Sequence, residues 1–164
     1  MTCVSIGVDN GVSGALAALD GEGGLVGWLA MPVVVARKGS EIDVVAVWDW
    51  IIAVTGGETR VPVYTIEEPT GSKSARAGAS MAGSFHAIRA MLAVKGCRMQ
   101  RVTPQSWQKK LLPGCKAGDT KARAYELARR MWPDERWLAT ERCRKAHDGG
   151  VDAALIAHYG WGMS

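Results

Sequence analysis

Cys3-Val4-Ser5-Ile6-Gly7-Val8-Asp9-Asn10-Gly11-Val12-Ser13-Gly14-Ala15-Leu16-Ala17-Ala18-Leu19 decides how this chain folds. A β-type apolar run ends on an acid, an Asn/Gly-rich turn follows, and a second apolar run resumes at Ala15, which reads as strand, tight turn, strand. Asp20-Gly21-Glu22-Gly23-Gly24 is another turn, and Leu25 to Met31 is a third strand ended by Pro32. The three strands form an antiparallel meander.

Working outward, residues 33–40 read as a loop. Ser40 with Asp43 three residues on resembles a helix N-cap, for a helix from Glu41 to Thr55 stopped by Gly56-Gly57. Val61 to Glu67 is a fourth strand, and the Gly/Ser/basic stretch Pro69 to Ala77 a loop. A helix from Ala79 to Lys95 carries Met81, Phe85, Ile88, Met91 and Leu92 along one stripe. Cys97 to Val102 is a fifth strand, followed by Thr103 as N-cap with Pro104 at the first helical position of a short helix to Leu112. Asp119 caps a helix over Thr120 to Met131, and an Ala-rich helix from Asp148 to Tyr159 closes the chain. The order β-β-β-α-β-α-β-α predicts an α/β fold, a mixed five-stranded sheet with helices on both faces, in a single domain spanning 1–164.

With 164 residues, 48% of them hydrophobic, there is ample material for a core. No run approaches the roughly 20 apolar residues of a membrane span, and no basic segment leads into an apolar signal core, so the expectation is a cytoplasmic protein without a membrane partner. Cys3, Cys97, Cys115 and Cys143 show no C-x-x-C pairing and read as free thiols.

The net charge of +4 hides a strong asymmetry. Residues 1–68 hold three Lys/Arg against nine Asp/Glu, whereas residues 69–118 hold nine Lys/Arg and no acid. That basic block, directly after Glu67, has the character of a phosphate-backbone footprint, with Lys73, Arg76, Lys109, Lys110 and Lys116 as candidate DNA contacts.

The acids are as informative as the bases. Asp9 and Glu67 both end strands, where neighbouring strands of one sheet can bring them together, and Asp148 and Asp152, four apart, share one helix face. Phosphodiester hydrolysis is served by two divalent ions about 3.5–4 Å apart that clamp the attacking and leaving oxygens. Such ions are held by hard oxygen ligands, so these four carboxylates suit two Mg²⁺ or Mn²⁺ ions, and no organic cofactor is called for.

In this order, the segments resemble a known family. Ile6-Gly7-Val8-Asp9-Asn10-Gly11-Val12-Ser13-Gly14-Ala15, Thr65-Ile66-Glu67, Val102-Thr103-Pro104-Gln105-Ser106-Trp107-Gln108 and His147-Asp148-Gly149-Gly150-Val151-Asp152-Ala153-Ala154-Leu155 are together similar to RuvC-type Holliday junction resolvases of the phage or bacterial-prophage branch, in the ribonuclease H-like superfamily. The resemblance implies a ribonuclease H-like sheet and Asp9, Glu67, Asp148 and Asp152 as catalytic metal ligands. It also implies a homodimer and a four-way DNA substrate, in a bacterial cell or a phage-infected host. Two departures stand out. Cellular members space their last two acids three apart, a position held here by Gly149, and they carry an aromatic residue shortly after the glutamate, where this chain reads Glu68-Pro69-Thr70. His147, beside the helical acids, is a candidate activator. The small patch Ala82-Gly83 with Phe85, Ile88 and Leu92 is the candidate dimer contact.

Two other classes share parts of the pattern. Actin-like and sugar-kinase-like nucleotide binders also place Asp-x-Gly-x-x-Gly after a first strand, but they need a second such loop and a second domain, and the motif occurs here once. A non-catalytic DNA-binding module of the same fold would have no need of acids at all four positions.

Overall fold

The computed structural model describes residues 2–37, 39–71, 74–116 and 118–163. In chain order the elements are β1 (Cys3–Asp9), β2 (Ala15–Asp20), β3 (Leu25–Ala30), β4 (Val33–Ala36), β5 (Gly39–Ile42), α1 (Val44–Thr55), β6 (Val63–Glu67), α2 (Ala75–Val94), β7 (Arg98–Val102), α3 (Pro104–Leu111), α4 (Thr120–Met131) and α5 (Asp148–Trp161). Five strands form one sheet in the order β3-β2-β1-β6-β7. The meander is antiparallel, and β6 and β7 run parallel to β1, so the mixed five-stranded α/β sheet is as expected.

Strand periodicity explains the layering. Successive side chains of a strand face opposite sides, and along β2 Ala15, Ala17 and Leu19 join one core while Leu16 and Ala18 join the other. The first core is closed by α3, α4 and α5 through Trp107, Ala124, Ala128, Leu155 and Ile156. The second is closed by α1 and α2 through Val47, Ile51, Phe85, Ile88 and Leu92. Helices therefore cover both faces. Among the described residues, no helix is long and apolar enough to cross a membrane.

The main departure is at residues 33–42. In place of a loop and an early helix start, Val33–Ala36 and Gly39–Ile42 pair as a separate antiparallel hairpin. The α1 cap is Asp43, not Ser40; its carboxylate accepts from the backbone N–H groups of Val45 and Ala46, which satisfies two donors that a helix start leaves unpaired. The second helix also begins earlier than expected, at Ala75, where the Ser74 hydroxyl accepts from the Ala77 N–H. Apolar periodicity misses that first turn because Ala75, Arg76 and Ala77 are all exposed. Asp119 precedes α4, but its side chain makes no capping hydrogen bond.

Candidate active site

Parallel pairing of β1 with β6 sets Val8 opposite Ile66, so Asp9 and Glu67 emerge side by side from the same end of the sheet. Helix α5 packs along one face of the sheet with its N-terminus at that end. Its N-terminal turns carry Asp148 and Asp152, and all four carboxylates act electrostatically on Asp9 or on one another. The sequence-predicted acids thus share one electrostatic neighbourhood although the first and last stand 143 positions apart in the chain.

The close approach of α5 depends on residues without side chains. A Cβ on Gly149 would lie 2.8 Å from Gly14 Cα and 2.9 Å from Asp9 Oδ2. A carboxylate three residues before Asp152 would therefore drive into the β1–β2 turn, which gives a physical reason for the acid to stand at 148. His147 is the α5 N-cap: its Nδ1 accepts the Gly150 N–H at 3.0 Å, and its ring packs against Trp28 with centroids 5.5 Å apart. Its place in the fold is to hold the first turn that presents Asp148.

The electrostatics follow from crowding. Burial raises Asp9 well above the ordinary carboxylate range, and Glu67 and Asp152 push it further; Lys121 opposes the rise, and Asp148 adds to it. Burial takes Glu67 up to about 7 against the hydrogen bond from Trp107, and Asp152 adds to the rise. Asp152 is raised to about 6 by burial and by Asp148, with Lys121 opposing. Three neighbouring acids that resist ionisation form a site short of positive charge.

Lys121 was not singled out from the sequence. From the first turn of α4 it forms an ion pair with Asp148, and this bond raises the ammonium pKa. Nothing in the spacing of Asp119-Thr120-Lys121 announces that α4 begins beside the start of α5; that is a consequence of tertiary packing. Asn10 was also missed. It is buried, donates from Nδ2 to the Glu67 carbonyl at 2.7 Å, and among the described residues its Oδ1 meets no donor. Trp107, expected in the core, is fully buried there, and its Nε1 donates to Glu67 Oε1 at 3.4 Å.

Mutually repelling carboxylates and an unpartnered amide oxygen are the kind of hard oxygen donor that divalent ions take, whereas the Lys121 ammonium competes with such an ion for Asp148. Among the described residues no group of three or more Asp, Glu, His or Cys side chains stands close enough together to hold a metal ion. Lys121 occupies Asp148 instead.

The basic candidates scatter more widely. Arg76 lines a cavity of about 530 Å³ together with Asp9, Asn10 and the turn after β1. Lys109 and Lys116 line a polar cavity with Gln105, Gln108 and Thr120, next in sequence to Lys121. Lys110 instead packs over the Tyr159 ring at 5.0 Å, roughly 16 Å along α5 from Asp148 at the rise of an α-helix. Lys73 lies outside the described residues. Of the expected dimer contact, Phe85, Ile88 and Leu92 are buried in this chain's own second core and offer no surface to a second copy. Ala82 and Gly83 keep some exposure. The apolar stripe of α2 was ambiguous in sequence because packing on the sheet and packing on a partner call for the same residues.

A stability signature follows from the raised pKa values. A carboxyl that holds its proton more tightly when folded contributes stability below its unfolded pKa and loses that contribution as pH rises through the folded value. The cluster therefore weakens the metal-free fold increasingly from about pH 4 to beyond pH 7. Asp9→Asn should leave the melting temperature near wild type at pH 5 and raise it at pH 8, where the repulsion it relieves is greatest. Added Mg²⁺ should narrow the gap. Identical melting curves for the two proteins across this pH range would show that the carboxylates do not share one field.

The comparisons with known proteins agree with this architecture. No protein-family model matches the chain, and no curated protein matches it. Among solved structures, Thermus thermophilus RuvC superposes with a TM-score of 0.60 at 17% identity, covering 99% of this chain and 96% of that one. T. thermophilus RuvC in complex with a Holliday junction substrate gives a TM-score of 0.53 at 14% identity, with the same coverage. The chain has the RuvC, ribonuclease H-like fold.

Proposed function

We propose that this protein is a metal-dependent endonuclease that resolves four-way (Holliday) or related branched DNA by paired phosphodiester hydrolysis as a homodimer. The observation that carries the reading is the convergence of Asp9 and Glu67, from adjacent parallel strand ends, with Asp148 and Asp152 on α5, in the fold that the T. thermophilus resolvase also has. Asp9, Glu67, Asp148 and Asp152 would hold two Mg²⁺ or Mn²⁺ ions. When bound, such ions supply Lewis-acid activation of a phosphodiester and of an attacking water.

The chain's own residues do the rest. Trp107 and Asn10 hold the side chain and backbone of Glu67 from two directions. Glycine at 149 lets α5 sit against Asp9. Lys121, exposed beside Asp148, is placed to offset negative charge that develops on a phosphate entering the cluster. Arg76, Lys109 and Lys116 provide phosphate contacts on either side, and each neutralised phosphate releases counterion. Replacing Arg76 with Ala should flatten the salt dependence of DNA binding by about 1 in log–log slope, and the Lys73/Arg76 double replacement by up to about 2. An unchanged slope would make these residues a merely solvated face.

Two symmetric nicks require two acid clusters related by a dyad. Sedimentation should therefore show a dimer, and Ala82→Glu on α2 should shift it toward monomer and turn paired cuts into single nicks. A monomer that still makes paired cuts would exclude this arrangement. The test of the reading as a whole is cleavage of a synthetic four-way junction beside linear duplex, with and without Mg²⁺ or Mn²⁺. Cutting confined to the junction with metal is expected; nucleolysis absent under every condition would refute it.

A further inference from the structure

The four carboxylates of the site are not equivalent. Asp9, Glu67 and Asp152 are partly buried, whereas Asp148 is exposed at the rim. Among the described residues Asp148 is also the one acid of the four that holds an ion pair, and its partner is Lys121. The charge of Lys121 is felt deeper than that bond, because it also acts in favour of the ionised forms of Asp9 and Asp152. One ammonium, reaching in from the first turn of α4, therefore serves three acids of the cluster. That is the electrostatic part a bound divalent ion plays among carboxylates.

The two cations cannot share Asp148. Among the described residues the acids do not stand close enough together to hold an ion as they are, and Asp148 is engaged elsewhere. The pair is nevertheless easily parted. Its side chains are 76% and 56% exposed, and an ion pair in that setting adds little stability, since water solvates both charges and ordering a long side chain costs entropy. The ammonium rides on a flexible four-carbon stem. Thr120, next to Lys121 in the chain, lines a polar cavity with Lys109 and Lys116, a basic surface that suits phosphate.

We propose that Lys121 is a built-in counter-cation that gates metal entry: it neutralises the cluster of the metal-free protein, and Asp148 becomes a ligand only as Lys121 lets go. The released ammonium then joins Lys109 and Lys116 in meeting a phosphate. Linkage makes the effect reciprocal, so a phosphate that draws Lys121 away raises the affinity of the acids for the ion. Metal and DNA thereby load together. This inference rests on the reading of the four acids as metal ligands.

The test reads metal binding by the full-length protein with no DNA present. Free Mn²⁺ is counted by electron paramagnetic resonance while wild type, Lys121→Met and Lys121→Arg are titrated. Lys121→Met should bind Mn²⁺ about fivefold more tightly than wild type, the competition that one exposed ion pair can offer. Lys121→Arg keeps the charge and should bind no more tightly than wild type. In parallel, side-chain ammonium NMR follows Lys121 during Mg²⁺ addition, its signal assigned by its loss in Lys121→Arg. That signal should shift or vanish with the midpoint of Mg²⁺ binding. A Lys121 signal that stays unchanged while Mg²⁺ binds, or equal Mn²⁺ affinity of wild type and Lys121→Met, would overturn the gate and leave metal ligation by the acids standing. Tighter binding by Lys121→Arg would also overturn it, because the charge would then not be the competitor. If neither wild type nor Lys121→Met takes up Mn²⁺ at millimolar concentration, the metal reading falls and the gate with it.

Discussion

Asp9→Asn or Glu67→Gln is expected to lower metal-dependent strand cutting by roughly a thousandfold or more, the scale on which loss of one electrostatic stabiliser is felt in a preorganised site. Binding of a four-way junction should change by no more than about threefold, because affinity for a polyanion comes from the cations and not from groups that repel it. The structure sharpens the control. Glu68 turns aside to an ion pair with Arg101 at 3.3 Å, and its backbone N–H is held by the Val102 carbonyl. Glu68→Gln should therefore cut nearly as wild type does. Near-normal cleavage by Asp9→Asn, measured over a Mg²⁺ and Mn²⁺ titration, would remove the acid cluster from the mechanism. Loss of cutting in Glu68→Gln alone would move the site by one residue along β6.

The second large effect lies beneath the site. Helix α5 packs so closely on β1 that a Cβ at Gly7 would come within 2.1 Å of the Ala153 carbonyl oxygen and 2.3 Å of the Ala157 nitrogen. Both are backbone atoms in a helix and cannot swing away as a side chain would, so a single methyl must move the helix. Gly7→Ala should cost more than about 4 kcal/mol, in the range reserved for gross packing faults. Any soluble fraction should also cut poorly, because α5 carries Asp148 and Asp152. Gly27→Ala in β3 is the matched control, since a Cβ there meets nothing within 4 Å. Chemical denaturation of the pair, with cleavage assayed on the folded fraction, separates the outcomes. Equal stability of the two variants would mean that the strand and helix have room to part.

These two predictions draw on different levels of information. The strand ends at Asp9 and Glu67, the meander, the cap at Thr103 with Pro104, and the closing helix were all legible in the chain, because apolar periodicity, turn residues and capping signals act over a few neighbouring positions. The hairpin over 33–42 was not legible as such. Its valines are exposed and lack the alternation that burial imposes, so a β-strand there looks like loop. The α2 start was hidden for a related reason, since its first turn is small and solvent-facing.

At the site the division is equally physical. The sequence by itself determined which groups are available: carboxylates at two strand ends and on one helix, a basic block without acids, and glycines where a side chain would intrude. Only the tertiary structure decided which of them meet. It brought Lys121 to Asp148 and Asn10 to the Glu67 backbone, set Arg76 beside the acid-lined cavity, and turned Lys110 away onto Tyr159. It also drew Phe85, Ile88 and Leu92 into the chain's own core. Contacts between residues far apart in the chain depend on how whole elements stack, which is settled by the global balance of buried area and packing and leaves no local trace in the order of the amino acids.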